Sequence, residues 1–236
     1  TSSRPYCSSS RKLGTALPAR KIFSTSSNRR AEDAPVSSGA ILDTGTRSRA
    51  EVWIGSTAYR LAGNSRAEFV TVDDRRVNLQ LATGTLAVTL RDRNQAEDLE
   101  IETPEGRVRF AGTGRYRIEA RPDRTTVAAQ SGRAEVAAGG RSLAVRAGEM
   151  ATIGVRGSVS IETAPYGDDF DTWVSARDSE EKSALARRNV SPYMTGYQDL
   201  DAYGDWDTVD DYGTVWYPRA VVAGWAPYSD GRWAWI

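Results

Sequence analysis

The sequence predicts an all-β chain: many short strands forming a sandwich or solenoid-like β domain, then one connecting α-helix and an aromatic-rich, irregular or β tail. Three observations lead there. Between Ser38 and Val155, apolar and polar residues alternate in short runs, the pattern of strands with one face on a core and one in water. Gly, Asn and Asp interrupt these runs about every 8–12 residues, the spacing of a sandwich, barrel or solenoid. From Gly167 the period becomes helical, and from Val190 Trp, Tyr, Gly and Pro crowd together.

Residues 1–37 form the first segment. They are rich in Ser, Thr and Arg without periodicity, a composition that predicts disorder or a loosely attached, non-native leader. Scarce acidic residues give it the composition of an organellar transit peptide, and it lacks the apolar h-region of a secretory signal. A processing remnant or a mistranslated upstream frame carries the same signature.

Residues 38–165 are the β domain. Ala50–Ile54 runs into Gly55, Ala58–Leu61 into Gly63-Asn64, and Ala67–Val72 into Asp73-Asp74. Val77–Leu81 is strictly alternating and is expected to stop at Thr83-Gly84; Leu86–Leu90 then meets the charged run Arg91–Asp98. Further strands are expected at Leu99–Thr103, Val108–Phe110, Tyr116–Ala120, Thr125–Ala129, Ala134–Val136, Ser142–Val145 and Met150–Val155.

Residues 166–189 are expected to be one helix of roughly five turns. Asp168 or Asp169 is its N-cap, Phe170, Trp173 and Val174 its apolar stripe, and Arg177–Lys182 a solvated face. Arg187 and Arg188 suit the negative C-terminal end. Residues 190–236 are the aromatic tail, with five of the seven tryptophans and six of the ten tyrosines. Tyr-Gly recurs at Tyr203-Gly204 and Tyr212-Gly213, and Trp-x-Pro at Trp216-Tyr217-Pro218 and Trp225-Ala226-Pro227, each nine residues apart.

Composition narrows the functions. There are 31 basic and 31 acidic residues, but residues 1–36 carry seven Lys/Arg against Glu32 and Asp33, leaving 24 basic and 29 acidic beyond. A mildly acidic folded part argues against a nucleic-acid partner, whose binders cluster Lys and Arg. With no histidine, the commonest general base and metal ligand are gone. Cys7 stands alone, so neither an internal disulfide nor a Cys-based zinc site can form. No apolar run reaches the ~18 residues of a membrane span.

Two stretches resemble known families. Leu42-x-Thr44-Gly45-x-x-Ser48-Arg49-Ala50-Glu51-Val52, the Gly55 turn and Ala58-Tyr59-Arg60-Leu61 resemble the opening of a FecR-like domain. Leu79-x-Leu81-x-x-Gly84-x-Leu86 resembles its middle, and Ile101-x-Thr103-Pro104-x-Gly106, Gly112-Thr113 and Tyr116-Arg117-Ile118 resemble its core motif. Val127–Val136 and Val145-x-Ala147-Gly148-Glu149 resemble its end. From Val190 the tail resembles an uncharacterised Trp/Tyr/Gly/Pro-rich module that often follows FecR-like domains in Gram-negative envelope proteins. The residues are Val190-Ser191-Pro192, Gly196-Tyr197-x-Asp199-Leu200, Tyr203-Gly204-x-Trp206, Trp216-x-Pro218 and Gly224-Trp225-x-Pro227-Tyr228-x-x-Gly231-x-Trp233-x-Trp235. That module normally continues with more Trp-Gly repeats, so the copy here is expected to be incomplete.

The resemblance implies an exported, periplasmic or extracellular, non-enzymatic binding or structural module of the cell envelope, whose partner is protein or envelope polysaccharide. The alternative is a regulatory receiver: signalling FecR proteins relay occupancy of an outer-membrane transporter to a sigma factor, through a cytoplasmic domain and a membrane helix. A remote alternative is a glycan-active enzyme using the carboxylates of residues 199–211.

The candidate ligand-binding residues are Trp206, Trp216, Trp225, Tyr228, Trp233 and Trp235, whose flat faces stack on sugars or peptide. Against that, regular Gly and Pro placement suits rings packed into a small aromatic core. Asp199, Asp201, Asp205, Asp207, Asp210 and Asp211 crowd thirteen residues but match no calcium-loop spacing, so a solvated acidic loop is expected rather than a metal site. Asp168/Asp169 and Glu180/Glu181 read as surface pairs. Ser131 and Ser158 have no base to activate them, and the glycines at 112–114 and 139–140 open no helix, so no phosphate loop is expected. No catalytic residue and no cofactor is expected. Exposed edge strands offer a route to homo-oligomers.

Overall fold

The computed structural model describes residues 19–25, 34–73, 76–165, 167–191, 194, 197 and 200–221. The chain divides into two compact units, Thr1–Phe170 and Asp171–Ile236.

The first unit is built around one long strand, β7 (Val77–Leu90). Before it come β1 (Ala19–Thr25), β2 (Ala34–Pro35), β3 (Ala40–Asp43), β4 (Ser48–Ile54), β5 (Thr57–Leu61) and β6 (Arg66–Val72). After it come α1 (Arg93–Glu97), β8 (Leu99–Thr103), β9 (Gly106–Phe110), β10 (Gly114–Arg121), β11 (Arg124–Ser131), β12 (Arg133–Ala138), β13 (Arg141–Arg146), β14 (Glu149–Gly154) and β15 (Ser158–Thr163).

The two halves of β7 belong to different sheets. Its first half pairs with β6 and, in parallel, with β8, Leu79 lying opposite Phe69 and Ile101. Its second half pairs with β5 and β10, Val88 lying opposite Tyr59 and Tyr116. One sheet therefore runs β2-β1-β4-β5-β7-β10-β11-β14-β15, and the other β3-β6-β7-β8-β9-β12-β13. The strand crosses over at Gly84, whose φ of +93° is open to glycine. A Cβ there would also lie 2.4 Å from Ser65 Cα. Ser65 fastens the bend: its Oγ accepts from Thr85 N (2.9 Å), and its own N donates to Thr44 Oγ1 (2.9 Å).

The sheets face each other across one core. Tyr59 of the first meets Phe69 of the second edge-on at 5.6 Å, and Tyr116 meets Phe110 at 4.6 Å. Val52, Leu61, Leu86, Ile118, Val127 and Ile153 line one inner face; Leu79, Leu81, Ile101, Val108, Val136 and Val145 line the other. Each such side chain contributes roughly 1.5–3 kcal/mol when fully buried. The strand pattern left sandwich and solenoid open; the arrangement is one large, near-barrel sheet whose two halves share β7 and face each other.

The structure departs from several expectations. Thr83-Gly84 does not end a strand, because the bend lets β7 continue into the other sheet. The charged run after it holds a short helix: Asp92 accepts from Asn94 N and Gln95 N, capping α1. Within the stretch whose composition predicts no regular structure, β1 pairs antiparallel with β4 from Ala19↔Ile54 to Thr25↔Ser48. Strand addition uses backbone groups and needs no apolar period. Residues 1–18 and 26–33 lie outside the described residues. A strand beyond the expected set, β15, follows a turn in which Arg156 and Gly157 have φ of 66° and 73°.

Not every strand has one face in water, either. All of β5, Ala50–Ile54 of β4 and Thr85–Leu90 of β7 are buried, outward-facing side chains included.

Helix α2 (Asp169–Ser183) begins where expected, with Asp168 Oδ1 accepting from Phe170 N at 2.9 Å. It ends sooner than five turns. Beyond Ala184, Asp201 captures the amides of Leu185 (2.6 Å) and Ala186 (3.0 Å), and a separate short helix, α3 (Ala186–Asn189), follows. Nor is its charged stretch wholly solvated, since Asp178 and Glu181 are buried. The second unit also holds α4 (Leu200–Tyr203) and a hairpin of β16 (Gly204–Val209) and β17 (Gly213–Pro218).

Candidate functional site

Two clusters of polar and aromatic side chains stand out, one in each unit. In the first unit the cluster sits on β4, β5 and β7, on the side turned away from the core. Period-2 alternation puts Glu51, Trp53, Arg60 and Thr89 on that side, and the register places Glu51 directly opposite Arg60. Arg60 is 0% exposed and Glu51 3%, with Nε to Oε2 at 2.8 Å. The other Glu51 oxygen accepts from Trp53 Nε1 at 2.7 Å, and Arg60 Nη1 donates to Thr89 Oγ1 at 3.1 Å. The Arg60 and Arg91 guanidinium carbons lie 5.9 and 4.8 Å from the Trp53 ring centroid. Burying two charges is costly, and hydrogen bonds to Trp53 and Thr89 with a cation–π contact offset part of that cost here.

In the second unit Asp201 is the junction. One carboxylate oxygen takes Leu185 N; the other takes Ala186 N and, at 2.8 Å, Trp206 Nε1. Trp206 and Trp216 lie directly across the β16–β17 hairpin. Trp216 Nε1 donates to the Leu200 carbonyl at 2.9 Å. Gly204 leaves the space: a Cβ there would stand 2.2 Å from Trp216 Cε2. Arg219 closes the hairpin's open end with a forked pair to Asp205 (2.7 and 3.0 Å) and contacts to the carbonyls of Ala202 and Asp201. That guanidinium lowers the Asp205 carboxyl below its ordinary range.

Of the six candidate ligand-binding residues, Trp206 and Trp216 are thus brought side by side, half-buried, with both indole N–H groups bonded inside the unit. Trp225, Tyr228, Trp233 and Trp235 lie outside the described residues. Exposed Tyr203, Tyr212 and Tyr217 were not among the candidates. In the acidic cluster, Asp201 and Asp205 hold the backbone and Arg219; Asp207 accepts from Thr208 N. No group of three or more potential metal ligands occurs among the described residues. Glu181 accepts from Tyr197 Oη at 2.5 Å and lies 3.7 Å from Arg187.

An open cleft of about 620 Å³ lies between the β8–β9 and β12–β13 turns. Arg107 in its lining is drawn to Glu100 (2.9 Å) and Glu102 (3.3 Å). No described helix is long and apolar enough to cross a membrane.

Sequence reasoning missed the Glu51–Arg60 pair, although the signal was present. The two residues flank a Gly55-Ser56 turn at hairpin spacing, with opposite charges on the same side of the strands.

Residues 40–135 match the FecR protein family, a span that runs from β3 into β12 and contains the buried pair. Residues 197–236 match a family of unknown function, DUF6600. No curated protein is significantly similar in sequence. Two crystal structures of a candidate anti-sigma factor from Parabacteroides distasonis are similar at 12% identity and a TM-score of 0.49. The match to the first covers 57% of this chain and 64% of that one, just under two thirds of its length; the match to the second covers 77% and 99%. The first unit thus carries a stretch, residues 40–135, similar to the FecR family, and residues 197–236 are similar to a family of unknown function.

Proposed function

We propose that the chain is a non-enzymatic, exported protein-binding module of the FecR type, acting as a regulatory receiver in a transporter and sigma-factor signalling system. The observation that carries this reading is the FecR match over residues 40–135, which spans strands on both sides of β7. The site chemistry agrees with it. The conspicuous charged residues, Glu51, Arg60, Asp201 and Asp205, are engaged with neighbours that hold the fold. A binding role suits such a scaffold, and a β domain without cysteine tolerates an oxidising compartment without requiring one.

The test is titration calorimetry of the whole chain against the periplasmic signalling domains of outer-membrane transporters from the same organism. Saturable one-to-one binding is expected. Absence of heat at any concentration up to about 100 µM, a Kd limit near −5.5 kcal/mol, would sink the receiver reading.

A second reading, an envelope module that binds polysaccharide, is favoured by one observation: Trp206 and Trp216 stand side by side on the hairpin. Peptidoglycan fragments should then protect the tail tryptophans from acrylamide quenching. Quenching unchanged by any envelope polymer rules that reading out.

A further inference from the structure

The two sheets end in strands of different character. In the second sheet, β13 carries Arg141 and Arg146 at its ends, while β3 is four residues long and its Asp43 is paired with Arg66 at 2.7 Å. In the first, β2 has two residues. Shortness and charge are the usual protections of a sheet edge. The remaining terminal strand, β15, is less protected. It is six residues long, pairs only with β14 among the described strands, and reads Ser-Val-Ser-Ile-Glu-Thr with Glu162 as its sole charge.

Its side chains fall into two rows. Val159 packs against the core, so Ile161 lies on the same, inner face; yet Ile161 is 40% exposed, because the sheet stops there. Ser158, Ser160 and Glu162 make the outer row, all exposed.

We propose that β15 is a homodimerisation edge, two copies pairing antiparallel about a twofold axis at Ser160 so that the first sheet continues from one copy into the other. Directly opposed residues in an antiparallel pair share a face and a hydrogen-bonding class. A twofold pairing is therefore centred on a residue. Centred on Ser160, it places Val159 opposite Ile161 of the second copy and Ser158 opposite Glu162 of the second copy, each twice.

The inner row becomes four contiguous aliphatic side chains that close the exposed end of the core. Each Glu162 meets a serine hydroxyl, and the two carboxylates stay apart. Centring on Ile161 instead puts Val159 against Thr163 and loses that match. An isologous contact of this kind closes on itself. One strand pair makes a small interface, so the dimer is weak, with a dissociation constant on the order of 10–100 µM. The proposal does not depend on which protein the FecR domain receives.

Sedimentation velocity of the full chain from about 1 to 500 µM, a range bracketing that constant, tests it. Monomers should give way to dimers as concentration rises. Ser160→Lys, which sets two ammonium groups face to face, should abolish the dimer and leave the circular dichroism spectrum unchanged. In a Cys7→Ser background, Ser160→Cys should cross-link between copies under mild oxidation, and Leu143→Cys on β13 should not. Monomers throughout, a dimer that survives Ser160→Lys, or equal cross-linking at 143 and 160 would each overturn the proposal. Should Ser160→Lys unfold the chain, the cross-linking pair decides.

Discussion

Arg60 is a cation with no access to water, and it stays in the fold because Glu51 sits opposite it on β4. The carboxylate is shared, one oxygen to the guanidinium and one to the Trp53 indole, so removing either charge strands the other among buried groups. Arg60→Met should therefore destabilise the first unit by about 3–5 kcal/mol, read as a lowered urea midpoint. The double change Glu51→Leu/Arg60→Met should cost less than either single change, because packed aliphatics replace a buried pair at small net cost. Equal or additive losses would show that the pair is not coupled. Nothing in one strand's sequence announces this pair. It becomes visible only when Gly55-Ser56 is read as a two-residue turn and the flanking residues are matched across it.

The bend in β7 and the hairpin of the second unit both depend on a residue with little room around it. At Gly84 a Cβ would need a positive φ and would collide with Ser65, so Gly84→Ala should lower stability by about 2–4 kcal/mol. The loss should appear as a depressed melting temperature of the β-sheet signal near 218 nm; a neutral effect would mean that β7 does not bend there.

In the hairpin unit, Asp201→Ala leaves the amides of Leu185 and Ala186 and the Trp206 indole without their acceptor. A loss of about 1–3 kcal/mol is expected, with red-shifted tryptophan emission as Trp206 loosens. Asp201→Asn keeps an oxygen acceptor and should lose less. Glycine punctuation marked both places in the sequence. Whether a glycine ends a strand or bends it was not legible, because Ser65, the residue that decides it, is nineteen positions away.

Across the whole molecule, stability should respond to alkaline pH through the core tyrosines. Burial raises the phenols of Tyr59 and Tyr116 above their ordinary 10.0, so each ionises at a higher pH in the fold than in the unfolded chain. In the unfolded chain they ionise near 10.0. Their contribution is complete below that value and falls as pH rises above it, by about 1.4 kcal/mol per pH unit for Tyr59. Urea midpoints between about pH 9 and 11, chosen around the free-tyrosine value, should show the decline, and Tyr59→Phe should flatten it. An unchanged slope would locate the alkaline sensitivity elsewhere.

Strand and helix content follow from local chemistry that the sequence carries by itself. Period-2 alternation, turn residues at short intervals and a helical period after Gly167 need no knowledge of distant contacts. The ordered FecR motifs are likewise legible by inspection, since each is a short run tied to a turn or a strand. Tertiary structure decided what depends on which strands meet. It made two predicted strands one, exposed Ile161 at the end of a sheet, and buried Glu51 and Arg60 against each other. It also set Trp206 and Trp216 side by side above a glycine. Partners in a sheet are chosen by backbone pairing across tens of residues, and local periodicity is blind to that choice.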